Sequence, residues 1–267
     1  MIENLDFERR RKVVSLGGKC PFNCLHCYTY CNEYKNDTSD DIEKVVESLK
    51  NESFDIIYIS GHRENFIDPD IGISLCERLF EEYQTDILIT TRNIFNEDQR
   101  ARMLELSEKM KKRNSFIYFC ISIPSLDSYK KIETNPIIPS PSERINFLKQ
   151  INEMGIVTLL TIRPLFPNEF IPTGECLNII SLCSQYTQAV ISSGVVIDEK
   201  IKKRLMTFPE DYRYEPGLLM SCLNNPIDVE YVNVDNEINE IRKHCEKMGI
   251  PFFTNSMPAI DYIKSKK

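Results

Sequence analysis

The sequence contains no long apolar run, and its first twelve residues, MIENLDFERRRK, are mostly charged. Nothing at this end has the form of a secretory signal. No stretch approaches the roughly 20 apolar residues that a membrane-spanning helix needs. We therefore expect a cytoplasmic protein that does not insert into a membrane. We also expect its ten cysteines to be reduced thiols, because disulfides persist mainly in oxidising compartments.

Histidine and net positive charge are scarce as well. Of the three histidines, His62 and His244 stand alone, so the sequence lacks the Cys/His pairs that a structural zinc site requires. The formal net charge of −7 disfavours a partner that is bound mainly through its phosphates. The densest basic cluster, residues 109–113, falls at the end of a predicted helix, where cations suit the helix dipole. DNA or RNA is thus a possible partner but not the favoured one.

Strand and helix patterns alternate along most of the 267 residues, which suffice for one large α/β domain. Strands are predicted at residues 12–16, 54–60, 86–91, 116–123, 156–162 and 189–197. Helices between them imply parallel crossovers, and one helix opens with a capping box at Ser140 and Glu143. We predict a partial (β/α)6 barrel of parallel strands over residues 1–204. Residues 205–267 are predicted to form a small C-terminal α/β extension, with a strand at 251–253 and a closing helix, that covers one end of the barrel.

Three cysteines with the spacing C-x3-C-x2-C follow the first predicted strand. Thiolates of Cys20, Cys24 and Cys27 on one short loop would bind a soft metal or an iron–sulfur cluster. Three protein ligands leave one iron of a cubane open to a substrate or cofactor. Cys31 follows at x3 and is the candidate fourth ligand of a ferredoxin-type alternative, although Asn32 stands where that pattern has proline. We expect Cys31 instead to pack on the loop or on the following helix.

This motif resembles that of the radical S-adenosylmethionine (SAM) superfamily. The resemblance implies a [4Fe–4S] cluster on Cys20, Cys24 and Cys27, with the amino and carboxylate groups of SAM bound to the fourth iron. It also implies a barrel of the kind predicted above. The expected reaction is reductive cleavage of SAM to a 5′-deoxyadenosyl radical that abstracts a hydrogen atom from a substrate. A reductant such as flavodoxin or ferredoxin would supply the electron.

The resemblance also assigns cofactor-binding roles to residues at the C-terminal ends of the predicted strands, where such barrels carry their chemistry. The family places a Gly-Gly-Glu motif after the second strand to hold the methionine ammonium, and this sequence has one of the two glycines, with the glutamate displaced by two residues. The residue before the third cysteine contacts adenine through its backbone, and groups ending strands four and five serve the ribose and the carboxylate. Ser60, Gly61 and Glu64 correspond to the motif after strand two. His26 precedes the third cysteine, and Ser122 and Arg163 stand at the ends of strands four and five.

Segments 132–145, 155–156 and 162–167 look like the spore photoproduct lyase and related photolyase-like branch, whose members act on DNA. A counterpart of their hydrogen-returning cysteine is not identified; Cys120 is nearest by location, and a buried core cysteine is the alternative reading. From the charge balance we favour a small or peptidic substrate. The alternatives are a photolyase-like enzyme of nucleic-acid repair or modification, and an iron–sulfur electron-transfer or sensor protein without a substrate.

Overall fold

The computed structural model describes residues 10–31, 40–59, 63–206, 208, 212–219 and 227–266. Its strands are β1 (Arg11–Val14), β2 (Ile56–Ile59), β3 (Asp86–Thr91), β4 (Ile117–Ser122), β5 (Val157–Leu165), β6 (Val190–Gly194), β7 (Val196–Ile197), β8 (Tyr214–Leu219), β9 (Ile227–Val232) and β10 (Phe252–Phe253). Its α-helices are α1 (Tyr28–Cys31), α2 (Ile42–Glu47), α3 (Pro69–Tyr83), α4 (Glu97–Lys111), α5 (Pro141–Glu153), α6 (Thr173–Cys183), α7 (Glu199–Leu205), α8 (Asp235–Lys247) and α9 (Ser256–Lys264). None of the described helices is both long enough and apolar enough to cross a membrane.

A seven-stranded sheet in the order β1-β2-β3-β4-β5-β6-β10 forms the body of the protein, and every neighbouring pair in it is parallel. Helices connect successive strands across the outer face, which confirms the predicted partial barrel of the (β/α) type. The seventh strand, β10, was expected to cover an end of the barrel. It instead extends the sheet, because Phe252 and Phe253 pair in register with Val190 and Ile191 of β6.

The outer helices begin where side chains satisfy their first backbone N–H groups. Asp68 caps α3 ahead of Pro69, and Asn96 forms a capping box with Gln99 at the start of α4. Ser140 forms the predicted capping box at the start of α5. Because these signals are local in sequence, the predicted helix starts agree closely with the observed ones.

The two faces of the sheet have different partners. Outward residues such as Ile57, Ile89 and Phe119 pack on the connecting helices in the main apolar core. Inward residues near the strand starts, including Leu88 and Tyr118, form a second apolar cluster with α9. Helix α9 therefore covers the inner face of the barrel near the N-terminal ends of the strands. The space that remains lies at their C-terminal ends.

A small antiparallel sheet in the order β7-β9-β8 stands beside the main sheet and was not predicted. The strand predicted at residues 189–197 ends in the main sheet at Gly194, and β7 continues into the second sheet. A side chain at Gly194 would bring its Cβ within 2.9 Å of the Val232 carbonyl oxygen. Glycine thus permits the close approach of the strand end to β9.

We expect Gly72→Ala to destabilise the fold. Gly72 lies in α3, and an added Cβ would come within 2.3 Å of Cδ1 of Phe66, which is completely buried. Overpacking of this kind costs about 1–3 kcal/mol. The control is Gly174→Ala in α6, where the added Cβ meets nothing within 4 Å and should be neutral or slightly stabilising. Urea denaturation of both variants measures the difference, and equal stabilities would contradict this account of the Gly72–Phe66 contact.

Candidate active site

The loop that carries the three cysteines leaves β1 at the C-terminal edge of the sheet. Asn65 fixes its start, because its side-chain oxygen accepts hydrogen bonds from the backbone N–H of Leu16 at 2.8 Å and from the hydroxyl of Ser15 at 3.2 Å. Gly18 follows with φ +82°, a conformation that glycine adopts without strain. The chain then turns back over the edge of the sheet.

The cysteine loop docks on the connection between β4 and α5. The N–H of Leu25 donates to the carbonyl of Ile132 at 2.8 Å, and the side-chain amide of Asn135 donates to the carbonyl of Pro21 at 2.7 Å. Ile138 joins the apolar cluster that surrounds the loop. The loop is therefore held by a segment more than 100 residues further along the chain.

Cys20, Cys24 and Cys27 line one cavity on the inner face of the barrel. The sulfur of Cys20 accepts a hydrogen bond from the N–H of Glu64 at 3.4 Å, and the sulfur of Cys27 lies 3.0 Å from the hydroxyl of Thr29. Burial raises the pKa of the Cys24 thiol to about 12, although the nearby Arg92 acts in the opposite direction. Donors that point at sulfur favour the thiolates that a cluster requires.

The geometry of these thiols bears on the kind of metal they can hold. Among the described residues, no three His, Cys, Asp or Glu side chains come close enough together to share a single metal ion. A cubane places no such demand, because each thiolate binds a different iron atom. Three thiolates on one loop are thus a donor set that fits a [4Fe–4S] cluster. The side chain of Cys31, the candidate fourth ligand, lies outside the described residues.

The cavity brings together four of the predicted cofactor-binding residues: His26, Glu64, Ser122 and Arg163. The other two, Ser60 and Gly61, lie outside the described residues. The cavity is also lined by inward-facing side chains of neighbouring strands, among them Tyr58, Thr90, Cys120 and Thr161, together with Tyr231 from the second sheet. The register of the parallel strands explains the first group, whereas Tyr231 belongs to a strand that the sequence did not predict.

Glu64 holds the loop after β2 against the end of β3. Its carboxylate accepts hydrogen bonds from the N–H of Phe66 at 3.1 Å, the hydroxyl of Thr91 at 2.8 Å and the N–H of Arg92 at 2.8 Å. Burial raises the pKa of Glu64, although these bonds oppose the shift. The carboxylate is therefore already a structural acceptor, and its expected role toward the methionine ammonium stays a prediction.

His26 is buried beside Arg92. Its Nε2 lies 3.5 Å from Nη2 of Arg92, and its Nδ1 is a buried atom without a hydrogen-bond partner within the described structure. Burial, reinforced by the charge of Arg92, lowers the pKa of His26 to about 3, so its ring is neutral near pH 7. Since Arg92 can only donate, the contact favours the tautomer in which Nε2 accepts and Nδ1 carries the proton.

Arg163 lies near the C-terminal end of β5 and lines the cavity. Its Nη2 donates to the carbonyl of Thr254, and its backbone carbonyl accepts from the hydroxyl of Ser122 at 3.3 Å. Burial lowers the pKa of Arg163, and its Nε has no partner within the described structure. A guanidinium desolvated in this way favours an anionic ligand, and the carboxylate-binding role that the resemblance implied stays a prediction.

A buried ion network behind the cysteine loop was missing from the predicted site. Glu133 accepts from Nη2 of Arg144 at 2.5 Å and from Nε of Arg92 at 2.7 Å, and the side chains of Glu133 and Arg144 are fully buried. Arg144 also donates to the carbonyl of Ser122 at 2.7 Å. Arg92 could be identified as polar at the end of β3, but no local pattern marks Glu133 and Arg144 as its partners.

The connection between β4 and α5 is itself organised by one carboxylate from α6. Glu175 accepts from the hydroxyls of Ser125 at 2.6 Å and Ser128 at 2.5 Å. It also accepts from the N–H groups of three successive residues, Leu126, Asp127 and Ser128, at 2.9–3.0 Å. Ser125 and Ser128 therefore both serve to hold this connection on α6.

Comparison with known proteins assigns the family. The model of the "Radical SAM superfamily" matches residues 14–173, more than half of the chain, so the protein belongs to this superfamily. Members of the superfamily use a [4Fe–4S] cluster and SAM. Among curated proteins, none matches the chain.

Solved structures agree in fold. SuiB of Streptococcus suis bound to S-adenosylmethionine matches with a TM-score of 0.55 and 14% identity, over 92% of this chain and 50% of SuiB. A second SuiB structure matches with a TM-score of 0.51 and 14% identity, over 95% of this chain and 52% of SuiB. The chain thus spans about half the length of SuiB. At this identity the likeness concerns the fold alone, and the photolyase-like branch stays a prediction.

We predict that Glu175 stabilises the fold in a pH-dependent way. Burial opposes its ionisation, but the hydrogen bonds from Ser125, Ser128 and the backbone outweigh it and lower its pKa from 4.5 to about 2. Its contribution is therefore complete above about pH 4.5 and is lost as the pH falls toward 2. Glu175→Gln should cost about 2–3 kcal/mol at pH 7.

Urea denaturation between pH 3 and 7 tests this prediction. The stability difference between wild type and Glu175→Gln should shrink below pH 4.5. Glu153→Gln is the matched control, because Glu153 makes only an exposed ion pair with Lys149 at 3.8 Å. A difference that is constant with pH would show that Glu175 does not act through its charge.

Proposed function

We propose that this protein cleaves SAM reductively and uses the resulting 5′-deoxyadenosyl radical to abstract a hydrogen atom from a small or peptidic substrate. The observation that carries the proposal is the convergence of Cys20, Cys24 and Cys27 on a cavity whose other walls include polar side chains of the barrel. An iron–sulfur protein that only transfers electrons has no need of such a cavity beside its thiolates. A pocket with a few placed polar groups is typical of a small-molecule site.

The residues of the chain have separable tasks in this proposal. When bound, the cluster supplies one electron to the sulfonium of SAM and so generates the radical. Cys20, Cys24 and Cys27 would hold the cluster. Arg163 would bind the carboxylate of SAM. The barrel wall and the second sheet would exclude water and orient the substrate beside the reactive carbon.

The position of the main basic cluster, as well as the net charge of the chain, supports a small or peptidic substrate over DNA. The basic cluster at residues 109–113 lies at the end of α4, where Lys111 donates to the carbonyl of Gly155 at 3.2 Å. Gly155 lies two residues before the start of β5, so the cluster lies at the edge of the sheet opposite the cavity. A nucleic-acid-binding enzyme needs its cations around the substrate opening. We also propose that a reductant of the flavodoxin or ferredoxin class supplies the electron in the cytoplasm.

The proposal is tested by anaerobic reconstitution with iron and sulfide, followed by measurement of 5′-deoxyadenosine with and without candidate substrates. Formation of 5′-deoxyadenosine by the wild-type protein supports the proposal. A cluster that forms but neither binds nor cleaves SAM would favour the electron-transfer alternative. Titration with DNA at low and physiological salt belongs to the same experiment, because tight, salt-sensitive binding would favour the photolyase-like alternative.

We expect Cys24→Ala to abolish the cluster. Each cysteine of the loop supplies one of three thiolates, and the alanine side chain offers no ligand. The cluster absorbance, the bound iron and the reductive cleavage of SAM should all be lost. Cys183→Ala is the matched control, since Cys183 is a buried thiol of α6 that packs in the outer apolar core. An intact cluster in Cys24→Ala would disprove the ligand assignment.

Arg163→Gln should weaken SAM binding by about tenfold or more, since loss of one member of a desolvated ionic contact typically costs 2 kcal/mol or more. Calorimetry on the reconstituted protein measures the affinity. Arg100→Gln is the control, because Arg100 of α4 bonds to the carbonyl of Phe95 at 2.7 Å outside the cavity. Equal affinities in wild type and Arg163→Gln would remove Arg163 from the SAM site.

A further inference from the structure

We propose that Arg92 raises the reduction potential of the cluster, because its guanidinium places a positive charge beside the cysteine loop. The inference rests on the proposed function, because it requires a cluster on Cys20, Cys24 and Cys27. The residue itself is fixed by contacts with other groups of the protein. It lies at the end of β3, and its charge therefore acts on the cluster from the wall of the cavity.

Three contacts hold Arg92 in one place. Its Nε donates to Glu133 at 2.7 Å, and its Nη2 donates to the carbonyl of Arg163 at 3.2 Å. Its own backbone N–H donates to Glu64 at 2.8 Å, and the N–H of Glu64 donates in turn to the sulfur of Cys20 at 3.4 Å. The guanidinium is thus held by Glu133 and the backbone of Arg163, while Glu64 links the backbone of Arg92 to the cysteine loop; Glu133 and Glu64 are almost completely buried.

The positive and negative charges around Arg92 do not cancel. Glu133 is shared between Arg92 and Arg144, so this buried group of three side chains carries two positive charges and one negative charge. The positive charge lies close to the loop: Nη2 of Arg92 is 3.5 Å from Nε2 of His26, which stands between Cys24 and Cys27 in sequence, and Arg92 lines the same cavity as the three cysteines. Glu64 contributes a negative charge on the same side, and Arg63 and Arg163 are the further cations that line the cavity.

Reduction of a cluster by one electron adds one negative charge at this position. In a cavity of low effective dielectric, a fixed cation stabilises the more negative, reduced state, and net charge is one of the factors that set the potential of such clusters. The electron comes from a one-electron donor of the flavodoxin or ferredoxin class, and from dithionite in the experiment. Removal of the cation should therefore make reduction harder.

The test is an anaerobic redox titration of the reconstituted wild type and four variants. The spectroscopic signal of the reduced cluster measures the extent of reduction at each potential. At a fixed potential, the ratio of reduced to oxidised cluster should fall about tenfold in Arg92→Gln, equivalent to about 59 mV. Arg92→Lys keeps the charge and should restore a ratio near wild type. Glu133→Gln removes the negative charge and should shift the ratio in the opposite direction.

Arg102→Gln is the matched control for removal of an arginine charge. Arg102 lies on α4 at the outer surface, with Asp70 and Glu77 as partners at 2.7 and 2.8 Å, and its loss should leave the potential unchanged. Only variants with wild-type iron content and circular dichroism are compared. If Glu133→Gln does not fold, the pair Arg92→Gln and Arg92→Lys decides the question.

The possible failures can be told apart. A wild-type protein that binds no cluster would overturn the proposed function and this inference together. A normal cluster in wild type with the same potential in Arg92→Gln would overturn the inference alone. An equal downward shift in Arg92→Gln and Arg92→Lys would also overturn it, because the effect would then follow the lost hydrogen bonds and not the lost charge.

Discussion

The shared carboxylate of Glu133 is the contact on which the position of the candidate site depends. Glu133 and Arg144 have no solvent exposure, and removing charges from water costs several kcal/mol per ion unless they are paired with good geometry. Glu133 must therefore meet Arg144 of α5 and Arg92 at the end of β3 at the same time. This requirement fixes the connection between β4 and α5, and the cysteine loop docks on that connection through Ile132 and Asn135. A local ion network thus sets where the thiolates lie relative to the barrel.

The inner face of the barrel is apolar near the strand starts and polar near the strand ends. Near the strand starts, Leu88, Tyr118 and Leu159 pack against α9, and this half is apolar and filled. Near the strand ends, Thr90 and Thr161 occupy the same face and line the cavity. Because side chains alternate along each strand, residues two positions apart share a face. Leu88 and Thr90 of β3 are such a pair, the first in the apolar half and the second in the polar half. The floor of the cavity is therefore built by the same strands that build the core.

The parts of the molecule that sequence could predict are those with local or periodic signals. The capping box at Ser140 and the parallel strands are of this kind, and the structure has both where they were expected. Tyr231 and the contact between Glu133 and Arg92 could not be predicted, because they depend on which distant segments meet. Cys120 is an intermediate case: it lines the cavity, as its strand position suggested, but it is also buried, and burial raises its pKa to about 12.

The net charge of the chain and the charge of the cavity have opposite signs. The formal charge is −7, yet three arginines, Arg63, Arg92 and Arg163, line the cavity with Glu64. Surface carboxylates are screened by salt over about 8–10 Å, whereas charges inside a cavity act on a bound group with less screening. The overall charge therefore bears on which large partners approach the protein, and the arginines bear on what binds within it. The cavity can accordingly favour anionic groups, such as a carboxylate, in a protein whose formal net charge is negative.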